Sequence, residues 1–371
     1  MRPTLRSLWL HCHRWTALSL GWVLIVAGLS GAALVVAPPL DRWLHPHYFV
    51  ARGDAAGGRV ALEAVRRALA AEFGPAAALT FRPPREAGET LQVRVRGNWR
   101  GTVFIDPASG REQGRRAQDE GFVDVLFGLH SALWMAARGK AVLACAAAAY
   151  LALLASGLVL WWPRRWPPPL RIEWRKGLLR ALFDAHRIGG ALLGLVLAVS
   201  VATGAFMAWR PIGGWINALA RAAPPAVPAL AGPPAPMLPL DGLVERAQAV
   251  FPGSRVGFVM LAPRADRPLR VRLRLPGEPH PNGMSNVWLD PRNGAVLAAT
   301  PWRGLDPAGR LNTVIYPLHT GELGGVWLQA AVAAGGLALG ALGGSGLWLW
   351  WRRRQARRAR PAGRPARAEP R

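Results

Sequence analysis

Four stretches of this chain contain no Asp, Glu, Lys or Arg: residues 15–37, 141–162, 188–209 and 323–351. A helix needs roughly 20 apolar residues to cross a hydrocarbon core of about 30 Å, so each stretch is predicted to span a membrane. The pairs Trp161-Trp162 and Trp350-Trp351 close two of them, where aromatic rings anchor helices at the lipid boundary. The net charge of +25 would suit a polyanion, but its distribution points to lipid headgroups and not to nucleic acid. With the N-terminus in the cytoplasm, segments 1–14, 163–187 and 352–371 lie inside, and 38–140 and 210–322 lie outside. The three inner segments are together shorter than either outer one, yet they hold two fifths of the Lys and Arg of the chain. That bias predicts an inner-membrane protein with both termini inside. The first apolar run continues to Leu40, well beyond a signal-peptide core, and is expected to stay as an anchor. Cys12 and Cys145 do not suggest a structural disulfide, and no Cys-x-x-Cys-His attaches a c-type haem.

The two halves of the chain correspond. His13-Arg14 precedes Gly31 by the same interval that separates His186-Arg187 from Gly204. A second interval is shared by Leu129-His130 ahead of Gly157 and Leu318-His319 ahead of Gly346. Each half also contains an exported segment. Helical periodicity over 60–73 is followed by strands over 90–95 and 101–105, ending at Asp106-Pro-Ala-Ser-Gly110. The second half repeats the order with a helix over 240–251, strands over 268–275 and 285–289, and Asp290-Pro-Arg-Asn-Gly294. Each segment is expected to be a small α+β module, the second preceded by an extended Pro- and Ala-rich linker over 222–239.

Topology sorts the eight histidines. His13 and His186 fall at the cytoplasmic mouths of spans one and three, and His130 and His319 on the outer side ahead of spans two and four. One His pair at each membrane face is what two b-type haems require as axial ligands. Arg14 and Arg187 are placed to meet the propionates of the inner haem. Arg138 and Lys140 stand between His130 and the apolar span that begins at Ala141. A continuous helix would therefore leave His130 about 16 Å short of that span unless it bends. His11-Cys12-His13 offers too few ligands for a metal site of its own. His45, His47 and His280 are expected to be solvated. Gly335, Gly336, Gly340, Gly343 and Gly344 suggest close helix packing within a span.

These motifs resemble the PepSY-associated transmembrane family: His-Arg-Trp at 13–15, Leu-His-Ser-Ala-Leu-Trp at 129–134, Asp-Ala-His-Arg-Ile-Gly-Gly at 184–190, Leu-His-Thr-Gly at 318–321, and two modules ending in Asp-Pro-x-x-Gly. The resemblance implies an iron-uptake associated protein, ferrisiderophore reductase-like, with His13, His130, His186 and His319 as haem-binding positions. The predicted architecture is a membrane α-helical protein: a four-helix transmembrane bundle from two tandem repeats, with two small exported α+β PepSY-like modules. Its segments are the N-terminus and first span at 1–40, module one at 41–120, the outer His segment and second span at 121–162, a cytoplasmic loop at 163–187 and the third span at 188–210. The linker with module two follows at 211–317, the outer His with the fourth span at 318–351, and a disordered basic tail at 352–371.

No dinucleotide-binding glycine motif follows a strand, and the inner loop is too short for a flavin or nicotinamide domain. The electron donor is therefore expected to be a quinol or a separate reductase, and the acceptor a ferric siderophore or another ferric chelate. Arg94, Arg96, Arg270, Arg272 and Arg274 alternate along their strands and share a face in each module, which either attracts an anionic chelate or is a solvated sheet face. The alternative function is a non-enzymatic membrane protein whose modules bind peptide, inhibit a peptidase or sense the envelope.

Overall fold

A computed structural model of the chain describes residues 3–53, 59–163, 166–168, 170–219, 227–233, 235–262 and 267–358. It divides into one unit made of 1–32, 129–208 and 332–371, and a second made of 33–128 and 209–331.

In the chain's order, the helices are α1 (Pro3–Leu44), α2 (Pro46–Phe49), α3 (Leu62–Phe73), α4 (Phe122–Ala132), α5 (Ala136–Trp161), α6 (Leu178–Ala208), α7 (Arg210–Leu219), α8 (Leu240–Val250), α9 (Pro307–His319) and α10 (Gly325–Arg358). Four of them, α1, α5, α6 and α10, are long and apolar enough to cross a membrane. A helix satisfies its own backbone polar groups, which lipid cannot do. These helices exceed the uncharged stretches that announce them. α6 takes in the last part of the expected 163–187 loop, from Leu178 onward, so His186 and Asp184 lie inside a helix and not before it. α10 carries the start of the expected 352–371 tail as far as Arg358, and 359–371 fall outside the described residues. The linker expected at 222–239 is described only at 227–233 and 235–239, without helix or strand.

The first unit is packed around Val23, Leu24, Ala146, Tyr150 and Leu197, and the Tyr150 hydroxyl donates to the Gly194 carbonyl at 2.6 Å. Small residues let α1 and α10 approach closely. A Cβ on Gly28 would lie 2.7 Å from the Gly336 carbonyl oxygen, and one on Gly340 would lie 2.6 Å from Leu29, the close packing expected of Gly336 and Gly340, whereas one on Gly344 would meet nothing within 4 Å. Between α4 and α5 the chain breaks sharply: Leu133, Trp134 and Ala136 have φ of +48°, +56° and +49°. Such left-handed backbone is unfavourable for side chains of this size.

In the second unit the two expected α+β modules, each read as one helix on an antiparallel sheet, contribute their strands to one continuous sheet. Its strands are β1 (Ala78–Arg82), β2 (Leu91–Arg96), β3 (Arg100–Ile105), β4 (Glu112–Ala117), β5 (Arg255–Leu261), β6 (Leu269–Arg274), β7 (Ser285–Leu289) and β8 (Val296–Thr300). They form one antiparallel sheet in the order β4-β3-β2-β1-β5-β6-β7-β8. The halves join where β1 pairs with β5, Phe81 opposite Val259. Burial alternates along the inner strands, and Phe81, Val93, Val95, Val259, Val271 and Val287 are fully buried. That apolar face packs against α3 and α8 through Val65, Leu69, Leu240 and Leu243, burial that dominates the stability of such a layer. Both Asp-Pro-x-x-Gly turns close alike. Gly110 donates to the Asp106 carbonyl at 2.9 Å and Gly294 to the Asp290 carbonyl at 2.8 Å, with the glycines at φ of +72° and +75°.

Candidate functional site

His13, on α1, and His186, on α6, are brought together in the first unit, with ring centres 6.3 Å apart and planes at 90°. One metal ion with bonds of about 2 Å to a ring nitrogen on either side would hold two imidazole centres about 6 Å apart. The spacing therefore suits two imidazoles on one iron.

The ring orientation is set by helix neighbours. His13 Nδ1 lies 2.9 Å from Ser156 Oγ. That hydroxyl donates its own proton to the Ala152 carbonyl at 2.6 Å, so Nδ1–H is the donor to the serine oxygen. His186 repeats the arrangement: Nδ1 lies 3.0 Å from the Leu342 carbonyl and 3.1 Å from Ser345 Oγ, while Ser345 donates to Leu342. A carbonyl only accepts, so the proton again sits on Nδ1. His130 is held in the same way, with Nδ1 donating to the Ala27 carbonyl at 3.0 Å and Ser30 Oγ at 3.2 Å; Ser30 donates to Val26. In all three rings the proton is on Nδ1 and the lone pair on Nε2, the tautomer that a metal-binding imidazole needs.

Each ring also lies against a glycine. A Cβ would stand 3.4 Å from His13 Cε1 at Gly157, 3.1 Å from His186 Cε1 at Gly346 and 2.9 Å from His130 Cε1 at Gly31. The glycines of the sequence repeat are thus the seats of the histidines, and the preceding serine in each case supplies the acceptor. Sequence reasoning aligned the glycines and missed the hydroxyls. The signal was present in Ser30-Gly31, Ser156-Gly157, Thr203-Gly204 and Ser345-Gly346. Thr203, the fourth hydroxyl, donates to the Val199 carbonyl at 2.8 Å.

The break between α4 and α5 resolves the problem of reach raised by a continuous helix. His130 sits near the end of α4, just before Ala132, and the chain turns before α5 begins. A Cβ on Gly139 would overlap the Ala132 carbonyl, so glycine there lets the turn close. His319 is the last residue of α9, in the second unit. Arg14 and Arg187 follow their histidines in α1 and α6 and are half-buried. Arg187 interacts electrostatically with Asp184, a fully buried carboxylate held by Arg180 at 2.9 Å.

The remaining histidines divide. His11 is exposed and bonds Ser7 within its helix, and His45 Nδ1 lies 2.8 Å from Asp41. His280 was expected to be solvated, but it is buried and stacks on Tyr316 at 5.2 Å, because the β6–β7 loop folds back under α9. Among the described residues no three His, Cys, Asp or Glu cluster as a metal site. Of the strand arginines, Arg94, Arg96 and Arg274 are exposed, whereas Arg270 and Arg272 are half-buried. The sequence model of the PepSY-associated TM region matches residues 10–353. Comparison with curated proteins finds no match.

Proposed function

The chain belongs to the PepSY-associated transmembrane family, and on that premise we propose that it is a di-haem b-type transmembrane electron-transfer protein built from two tandem repeats. The observation that supports this most is the His13–His186 pair, 6.3 Å between ring centres, with both Nδ1 protons engaged by neighbouring helices. His13 and His186 hold one haem. His130 is a ligand of the second, and the sequence repeat makes His319 its counterpart, as His186 is that of His13. Arg14 and Arg187 neutralise propionates. When bound, a b-type haem supplies a reversible one-electron couple. The chain's own residues hold the ligand rings in one tautomer, and the seryl oxygens strengthen each ring as a donor.

The charge distribution supports an inner-membrane protein with both termini in the cytoplasm and the sheet in the periplasm. Electrons enter from a quinol or a separate reductase and leave to a ferric siderophore or another ferric chelate. The reading is tested by absorption. Protein purified after expression with ample haem is expected to show Soret and α bands equivalent to about two haems per chain. His13→Ala and His186→Ala are expected to remove one and the same haem, and His130→Ala and His319→Ala the other. Protein without these bands would overturn the reading and leave a non-enzymatic PepSY protein that binds peptide or senses the envelope.

A further inference from the structure

The sheet face opposite α3 and α8 is not a plain solvated surface. Gln92 pairs with Arg82 across β2 and β1, and Phe258 pairs with Arg272 across β5 and β6. Because Phe81 faces Val259, the next residues, Arg82 and Phe258, are neighbours on the opposite face. Arg82, Phe258 and Arg272 thus form a row across three strands, and at about 4.8 Å per strand the two arginine backbones stand about 10 Å apart. The Arg272 guanidinium lies 5.9 Å from the centre of the Phe258 ring, within the row.

Several arginines of this unit are neutralised: Arg42, Arg66, Arg115, Arg116 and Arg292 each hold a carboxylate within ion-pair distance. Among the described residues Arg82, Arg85, Arg272 and Arg274 hold none. The nearby acids are engaged otherwise or stand off. Glu89 accepts twice from Arg42 at 3.0 Å and once from the Arg85 backbone N–H. Glu278 accepts from the backbone N–H groups of Leu275, Met284 and Ser285. Glu322 acts on Arg85 and Arg82 only electrostatically. Donors are left over: Arg272 Nε is buried without a hydrogen-bond partner. His280 Nδ1 accepts from the Asn282 backbone N–H at 3.1 Å, which puts the ring proton on Nε2.

We propose that Arg82, Arg85, Arg272, Arg274 and His280 form an anion-binding site on this face of the sheet, for a small multivalent carboxylate or phosphate. Arg82 and Arg272 supply half-buried forks from two strands, Arg85 and Arg274 stand exposed at the rim, and the His280 Nε2–H adds a neutral donor. Guanidinium forks match carboxylate and phosphate oxygens in pairs, and desolvation strengthens each contact. The cations feel one another already. Burial, and then Arg85, bring Arg82 down to about 10, while burial, and then Arg272, Arg85 and Arg274, hold His280 at about 4. An anion relieves this repulsion. An anionic metal chelate belongs to the class and would serve as acceptor in the proposed function, but the site rests on the sheet alone.

The test is titration calorimetry of the full-length protein in phosphatidylcholine nanodiscs with citrate, and then with inorganic phosphate. Saturable citrate binding is expected, weakened roughly tenfold or more by Arg82→Gln and by Arg272→Gln and little changed by Arg96→Gln, whose side chain is exposed. Repeating the titration in nanodiscs containing phosphatidylglycerol at equal ionic strength separates the sources. Weaker citrate binding there identifies lipid phosphate as the occupant, and unchanged binding identifies a soluble anion. If the Gln variants do not fold, Arg272→Lys, which keeps the charge and loses the fork, is expected to bind citrate several-fold more weakly. Citrate binding that is the same in wild type and in the folded Arg82 and Arg272 variants overturns the site. The readout is heat and not haem reduction, so its failure is distinguishable from failure of the redox reading.

Discussion

Glu63 and Asp241 cap each other's helices. The Asp241 carboxylate accepts from the Leu62 and Glu63 backbone N–H groups at 2.7 and 3.0 Å, and Glu63 Oε2 accepts from the Leu240 N–H at 3.1 Å. The first turns of α3 and α8 are thus fastened to one another beside the β1–β5 junction. Helix N-termini leave four N–H groups without intrahelical partners, and a carboxylate cap contributes about 1 kcal/mol. Asp241→Ala is expected to speed hydrogen exchange at Leu62 and Glu63 roughly fivefold while leaving the interiors of β4 and β8 unchanged. Equal protection in the variant would mean that the packing alone holds the junction.

Glu63 also makes the sheet acid-sensitive. The Arg66 guanidinium, aided by Arg67 and the Leu240 N–H, holds the Glu63 carboxyl at about 2 against the opposing effect of burial. A folded-state value below the ordinary 4.5 means that the stabilisation is complete above the ordinary value and is lost as pH falls through the folded one. Thermal unfolding of the full chain is expected to be flat in this contribution above pH 5 and to lose stability toward about pH 2. Glu63→Gln is expected to be less stable at neutral pH and to show a shallower acid slope. A slope identical to wild type would assign acid sensitivity to other carboxylates.

The glycine seats predict an order of severity. Alanine would bring a Cβ to 2.9 Å from His130 at Gly31, to 3.1 Å from His186 at Gly346 and to 3.4 Å from His13 at Gly157. Each ring is also tied by Nδ1 and must tilt as a whole. Gly31→Ala is therefore expected to lose most of the haem proposed for His130, Gly346→Ala to keep both haems with a shifted low-spin signal in electron paramagnetic resonance, and Gly157→Ala to stay close to wild type. Gly31→Ala and Gly346→Ala are expected to affect different haems. Equal effects of all three substitutions would show that the glycines do not seat the rings.

Ser156 and Ser345 accept from the Nδ1 protons of two ligand rings proposed for one haem. Loss of such an outer partner weakens metal binding by about 10- to 100-fold. Ser156→Ala and Ser345→Ala are expected to have similar effects, because each ring keeps a backbone acceptor, Leu153 for His13 and Leu342 for His186. Reductive titration is expected to show a higher midpoint potential for that haem in Ser156→Ala, since a less electron-rich ring stabilises the oxidised iron less. Ser156→Thr, which retains the hydroxyl, is expected to restore it. Potentials unchanged in Ser156→Ala would limit the serine to helix packing.

How far the sequence speaks for this fold depends on whether the signal is local. The four apolar helices were legible because length and lack of charge are properties of one segment. The helix at 62–73 and the inner strands β2, β6 and β7 were legible through alternation, as in Leu91–Arg96 with its outward arginines. The edge strand β4, Glu112–Ala117, has no apolar alternation and no fully buried residue, so it looks like a loop. β1 and β5 are short or irregular alone, and their pairing joins segments from opposite halves of the chain, which no local pattern encodes. The histidines were legible as candidates by their repeat, but their tautomers were not. Those depend on hydroxyls and carbonyls carried by other helices.

The break between α4 and α5 controls where His130 lies, and Gly139 is the residue that permits it. The chain passes through Leu133, Trp134 and Ala136 with positive φ, a strained path that persists only if the surrounding contacts are worth more. Gly139 is buried against Ala132, and its missing Cβ occupies the position of the Ala132 carbonyl. In Gly139→Ala the carbonyl must move, and with it the end of α4 that carries His130. The Nδ1 contacts to Ala27 and Ser30 are then lost together, whereas His13 and His186 keep their own partners on α5 and α10. The expected outcome is selective loss of the haem proposed for His130, reading as about one haem per chain with the spectrum proposed for the His13–His186 haem intact. Trp134→Gly, which relaxes the positive φ without entering that contact, is expected to leave both haems in place. If Gly139→Ala retained both haems, or lost both, the α4–α5 turn would not be what positions His130.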